Sequence, residues 1–152
     1  MWANEFSDVT ALTKPECYEY LSQASLGRIA ASIDALPVIL PVHFVLSGES
    51  VLFPTLPGSK LDAATTDTVV AFEVDAEEPL DGSYWSVLLR GLASSVGDGP
   101  DHTHGRPLLL DPWPTMQRNL RLVRVEPTLV SGRKFRITGE GPSTEPHHTS
   151  SL

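Results

Sequence analysis

The chain has 152 residues, 41% of them apolar and 20% charged, with a formal net charge of -8 and a pI near 5.0. That length fits one domain with one core, and the acidic balance disfavours binding to nucleic-acid phosphates. Cys17 is the only cysteine, so an internal disulfide is excluded; the start lacks a basic, apolar leader pattern, and no uncharged apolar run of about 18 residues occurs to span a membrane. The expected location is the cytoplasm.

Thr13-Lys14-Pro15-Glu16 reads as a helix start, with Thr13 as cap, Glu16 completing a capping box and Pro15 in the first turn. Cys17, Tyr18, Leu21 and Ala24 then form an apolar face, and Cys17 is expected to pack there. Gly27 ends the helix, and residues 26–33 read as a strand. Asp34-Ala35 makes a tight connection into residues 38–46, where Val38, Leu40, Val42, Phe44 and Leu46 alternate. Pro41 lacks an N–H and is expected to interrupt the strand ladder. Ser47-Gly48-Glu49 is a turn, so residues 51–55 complete a hairpin.

Leu56-Pro57-Gly58 breaks the sheet. Ser59 caps a short helix over 60–66, with Asp62 placed to complete a second capping box. Residues 69–75 read as a strand with Val70, Phe72 and Val74 on one face, followed by an acidic loop over 76–82. Residues 84–96 form a long strand in which Gly91 marks a bulge or a close backbone approach. Residues 97–114 read as a loop. Residues 120–125 return to strand, and a last arm from Leu129 turns at Ser131-Gly132. Residues 1–138 read as one domain and 139–152 as a disordered tail. Short strands at this spacing predict a mainly β protein, a closed or nearly closed antiparallel barrel.

Chemistry concentrates in residues 51–61. A strand ends at Thr55, passes a Gly-containing turn, and opens a helix at Ser59 and Lys60. Two hydroxyls and an ammonium there suit a phosphate; the same pattern also describes a plain cap followed by an exposed lysine. His43 lies on the strand face opposite Val42 and Phe44, where it contacts a ligand or faces solvent. Trp113, in a Pro-rich loop, has the position of a ring that covers a ligand or a partner subunit. His102 and His104 lack the further ligands a metal needs. No Gly-x-Ser-x-Gly elbow occurs.

The order of these motifs resembles the pyridoxamine 5'-phosphate oxidase-like FMN-binding split-barrel proteins, from the helix at Cys17 through Leu26-Gly27-Arg28-Ile29-Ala30, Pro41-Val42-His43-Phe44-Val45, Phe53-Pro54-Thr55 with Pro57-Gly58-Ser59-Lys60-Leu61, Trp85-Ser86-Val87, and Pro112-Trp113-Pro114 to Val130-Ser131-Gly132-Arg133. The resemblance implies a six-stranded antiparallel split β-barrel that pairs as a homodimer, with FMN in a groove between subunits. It implies that Lys60, Ser59 and Thr55 hold the phosphate. It sets the backbone of Pro41, Val42, His43 and Phe44 against the ring, Phe53 beneath that strand or near the ribityl chain, and Trp113 reaching the flavin from the partner subunit. Arg90 would make an ion pair within the sheet. It further implies a flavin-dependent oxidoreductase acting on a small molecule, with NAD(P)H as a candidate donor. The alternative is a module that binds flavin, deazaflavin or haem without turnover. The chain departs from the pattern at Pro54, where relatives often carry an arginine or another polar residue, and this leaves Lys60 as the main cation. It also lacks the C-terminal extension of the vitamin B6 oxidases, so pyridoxamine phosphate is not the expected substrate.

Overall fold

The computed structural model describes residues 6–96 and 120–137. Its strands are β1 (Phe6–Ala11), β2 (Leu26–Ile33), β3 (Leu36–His43), β4 (Val45–Ser47), β5 (Ser50–Thr55), β6 (Thr68–Glu77), β7 (Tyr84–Ser95) and β8 (Arg121–Ile137), with helices α1 (Lys14–Ser22) and α2 (Lys60–Ala64). The strands form one curled antiparallel sheet in the order β3-β2-β6-β7-β8-β5-β4, and β1 pairs with β8. This is the expected split-barrel class, with eight strands rather than six. The expected 38–46 strand divides at Phe44 into β3 and β4, and β1 adds a strand that the sequence reading did not foresee. The loop with Trp113, His102 and His104 and the 139–152 tail lie outside the described residues.

Local chemistry explains most boundaries. The Thr13 hydroxyl accepts the Glu16 N–H, and the Glu16 carboxylate accepts the Thr13 N–H at 2.7 Å, so the capping box is complete. The Thr13 N–H and hydroxyl, both donating to that carboxylate, hold the Glu16 pKa below the usual carboxylate range. Asp34 and Ala35 both take positive φ, 51° and 64°, as a two-residue hairpin turn with the twist of its strands requires.

Pro41 does not interrupt the ladder. All eight residues of β3 pair in register with β2. The Phe44 N–H donates to the Ser25 carbonyl, so alternation turns the even-numbered amides of β3 toward β2 and the odd ones away. Pro37 and Pro41 therefore occupy positions of an edge strand where no N–H is needed.

The last strand also differs from expectation. Ser131 and Gly132 do not turn; they pair with Leu88 and Val87 inside the 17 residues of β8. A Cβ on Gly132 would stand 2.6 Å from the Cys17 sulfur, so this glycine permits helix α1 to approach the sheet. Gly91 serves a similar purpose. The β7–β8 register shifts between Arg90 and Gly91, and a Cβ on Gly91 would fall 1.8 Å from the Glu126 carbonyl oxygen.

The core gathers on one face of the sheet. Ile29, Phe72, Val87, Leu89, Val123, Val125, Val51 and Phe53 are fully buried, with Cys17 and Leu21 of α1 against them. Phe44 packs edge-on to Phe72, with centroids 4.8 Å apart, and Tyr20 packs on buried Trp85 at the same distance. On the opposite face Arg28 pairs with both Glu73 and Asp75, while Arg90 is exposed and makes no ion pair among the described residues. The sheet ion pair expected of Arg90 thus belongs to Arg28. Among the described residues no helix is long and apolar enough to cross a membrane.

Candidate functional site: a groove between the β3 edge and the β5–α2 junction

A groove of about 540 Å³ opens where the end of β3 faces the turn from β5 into α2. Its walls are mostly apolar: Leu26, Pro41, Val42, Pro54, Leu56, Leu61 and Leu120, with His43, Thr55 and Ser59 as its polar members. This volume lies in the range of cofactor pockets, and a mainly apolar wall with a few placed polar groups is their usual make-up.

The sequence explains how these residues meet. The break at Phe44 ends β3 beside the start of β2, which brings Leu26 next to His43 in the pairing register. On the other wall, β4 pairs with β5 only as far as Leu52, so beyond it β5 has an open edge on which Pro54 is tolerated. Gly58, at φ 79°, turns the chain into α2.

Of the residues expected at the site, Pro41, Val42, His43, Thr55 and Ser59 line the groove together. Phe44 and Phe53 do not; both belong to the core behind it. Lys60 is exposed in the first turn of α2, one residue beyond Ser59. Trp113 lies outside the described residues.

The pairing of Asp62 with Arg121 was not anticipated. The Ser59 hydroxyl accepts the Asp62 N–H at 3.1 Å, as expected of the cap. The Asp62 carboxylate does not return to Ser59 to complete the box. It accepts the Gly58 N–H at 2.9 Å, the Thr55 hydroxyl at 3.2 Å, and both contacts from Arg121 Nη1, at 3.0 and 3.1 Å. The Asp62 side chain is 8% exposed and that of Arg121 41%. A buried carboxylate requires such partners. The signal in the sequence was the acid three residues after the cap. Its partner is 59 residues away, brought close because Thr55 pairs with Arg121 across β5 and β8. The charge of Arg121 is thereby committed to Asp62, which leaves Lys60 as the cation at the α2 start whose charge no described acid balances.

On the outer lip, Arg28 stands beside Pro41 in register and carries the Glu73 and Asp75 pairs. Burial, reinforced by the neighbouring Asp75, raises the Glu73 pKa against the opposing pull of Arg28. Glu73 and Asp75 are thus partly neutralised at this lip.

The model of the family described as pyridoxamine 5'-phosphate oxidase matches residues 13–134. An uncharacterised protein of Mycobacterium tuberculosis (strain ATCC 25618 / H37Rv) is 32% identical over 140 residues, covering 89% of this chain and 91% of that one. Among solved structures, the FAD binding protein from Mycobacterium smegmatis is 36% identical, with a TM-score of 0.66 over 85% of this chain and 100% of that one. A FAD-binding protein from Mesorhizobium loti has a TM-score of 0.73 over 84% of this chain and 97% of that one, and at 23% identity it attests the fold alone.

Proposed function

Because the chain belongs to the pyridoxamine 5'-phosphate oxidase family, we propose that its groove binds a flavin, FMN in the first instance, and that the loaded homodimer is an oxidoreductase acting on a small molecule. The observation that carries this reading is the division of the groove. Leu26, Pro41 and Val42 of β2 and β3 form one part, and the β5–α2 turn brings the Ser59 hydroxyl to the other, with Lys60 the next residue in the chain. A flat heterocycle with a phosphorylated tail has the same division.

The residues fit such a group. Val42, Leu26 and Leu61 exclude water from a ring, and the Pro41 carbonyl, on the outward side of an edge strand, accepts from a ring N–H. Lys60 and Ser59 would donate to the phosphate. A bound flavin supplies hydride-transfer chemistry, and the chain supplies position and electrostatics. The exposed Ile39, Val69, Leu92 and Leu129, all on the sheet face away from the core, give a second copy an apolar surface to cover.

A second reading, binding without turnover, is favoured by the groove itself: no carboxylate, thiol or lysine is among the described residues that line it. Titrating the purified protein with FMN and FAD, followed by absorbance and calorimetry, tests the binding. FMN is expected to bind, and Lys60→Ala to weaken it about tenfold, the value of one charged hydrogen bond. Preference for FAD would move the assignment to the dinucleotide. Binding of neither would turn it to deazaflavin or haem. Rapid anaerobic reduction of the bound flavin by NADH or NADPH separates the oxidoreductase from the binding module, and sedimentation gives the oligomeric state.

A further inference from the structure

Thr55 lines the groove, yet its hydroxyl is not equivalent to that of Ser59. A threonine hydroxyl has one proton and two lone pairs. Two acceptors lie within reach of the Thr55 Oγ1, and both belong to the protein interior: the Asp62 carboxylate at 3.2 Å and the Arg121 carbonyl at 3.4 Å. Asp62 is held by the Arg121 guanidinium and the Gly58 N–H, and an ionised carboxylate only accepts. The Thr55 proton is therefore directed inward, and what remains for the groove is a lone pair.

Ser59 has the reverse polarity. Its oxygen already accepts the Asp62 N–H, and its own proton has no acceptor among the described residues. One residue, Asp62, thus sets both hydroxyls through its carboxylate and its amide. A phosphate dianion presents acceptor oxygens only. Placed on Thr55 it would meet a lone pair with a lone pair; placed on Ser59 it would receive a proton donor.

We propose that Thr55 is a specificity residue that accepts a hydrogen bond from a hydroxyl of the ligand's polyol chain, and that it takes no part in holding the phosphate, which falls to Ser59 and Lys60. This rests on the flavin reading of the groove. It also reassigns Thr55 from the phosphate role that the family resemblance implied.

The test uses three ligands that differ by one part each: FMN, riboflavin, which keeps the polyol without the phosphate, and lumichrome, which keeps only the ring. Dissociation constants are measured by fluorescence for the wild type, Thr55→Val, Thr55→Ser and Ser59→Ala. Thr55→Val is expected to weaken FMN and riboflavin by the same factor, about fivefold for one neutral hydrogen bond, and to leave lumichrome unchanged. Thr55→Ser should stay near wild type, and Ser59→Ala should weaken FMN alone. Thr55→Ala gives the same comparison should the valine variant not fold. Loss of FMN affinity well beyond that of riboflavin would put Thr55 on the phosphate and overturn the proposal; equal loss for all three ligands, or no loss, would overturn it too. A wild type that binds none of them fails the flavin reading and this assignment together, whereas binding without the expected pattern fails this assignment alone.

Discussion

The β6–β7–β8 wall and the groove end at β5–α2 are built on opposite plans. The wall is long and repetitive: β6 and β7 pair over ten consecutive residues, and buried Val70, Phe72 and Val74 alternate with outward neighbours. Its stability is spread over many similar buried side chains, each worth about 1.5–3 kcal/mol of apolar burial. The groove end has a five-residue helix, a three-residue strand and a turn, held by four hydrogen-bond partners converging on one carboxylate and its amide. A wall of this kind tolerates many conservative changes, while the groove end depends on few residues.

The widest effect should come from a place where the backbone of the wall has no room for a side chain. Gly91→Ala puts a methyl group 1.8 Å from the Glu126 carbonyl oxygen, where backbone rather than a flexible side chain must move. The expected loss is about 3 kcal/mol, at the upper end of overpacking costs, read as a lower urea midpoint. An unchanged midpoint would mean that the β7–β8 bulge relaxes freely and that the wall is looser than its pairing implies.

The groove end should respond less in stability and more in shape. Asp62→Ala removes the shared acceptor of Thr55, Gly58 and Arg121. Losing one partner of a buried pair costs about 3–5 kcal/mol, but Arg121 is 41% exposed and can turn to water, so about 2 kcal/mol is expected. Amide exchange should quicken at Gly58 and through α2 while β6 and β7 keep their protection. Faster exchange throughout the sheet would show that the two regions do not open independently.

The two plans also explain what the sequence revealed. Strands β2, β5, β6 and β7 and the α1 capping box follow from alternation and short-range caps, and all lie within a residue or two of the expected bounds. The groove lining from Pro41 to His43 and from Thr55 to Ser59 was legible because hairpin turns and helix starts have local signatures. The misreadings concern partners distant in the chain. Gly132 looks like a turn until α1 is seen to press on it, and Pro41 looks like an interruption until β3 is known to be an edge. Asp62 looks like half of a local capping box because Arg121 becomes its neighbour only through β5–β8 pairing. β1 has the faintest alternation of the set and depends on the far end of β8 for its pairing.

The smallest expected effect falls at the joint between the two regions. The Tyr18 hydroxyl, on α1 against the wall, donates to the Glu49 carbonyl at 2.8 Å in the hairpin that leads into β5. Burial, with Glu49 and Cys17 adding to it, raises the Tyr18 pKa from 10.0 to about 12. A raised folded-state pKa means that the unfolded chain releases its proton first. This contribution to stability is therefore complete below pH 10 and declines as pH rises toward about 12. Tyr18→Phe removes both the bond and the titration. Below pH 10 it should cost about 1 kcal/mol, the net value of one hydrogen bond, and the gap between variant and wild type should narrow as pH climbs. Urea midpoints across this range, alongside phenolate absorbance, would follow it. A gap that stays constant with pH would show that the Tyr18 phenol ionises alike in folded and unfolded chains, and that the helix is tied to the hairpin by packing alone.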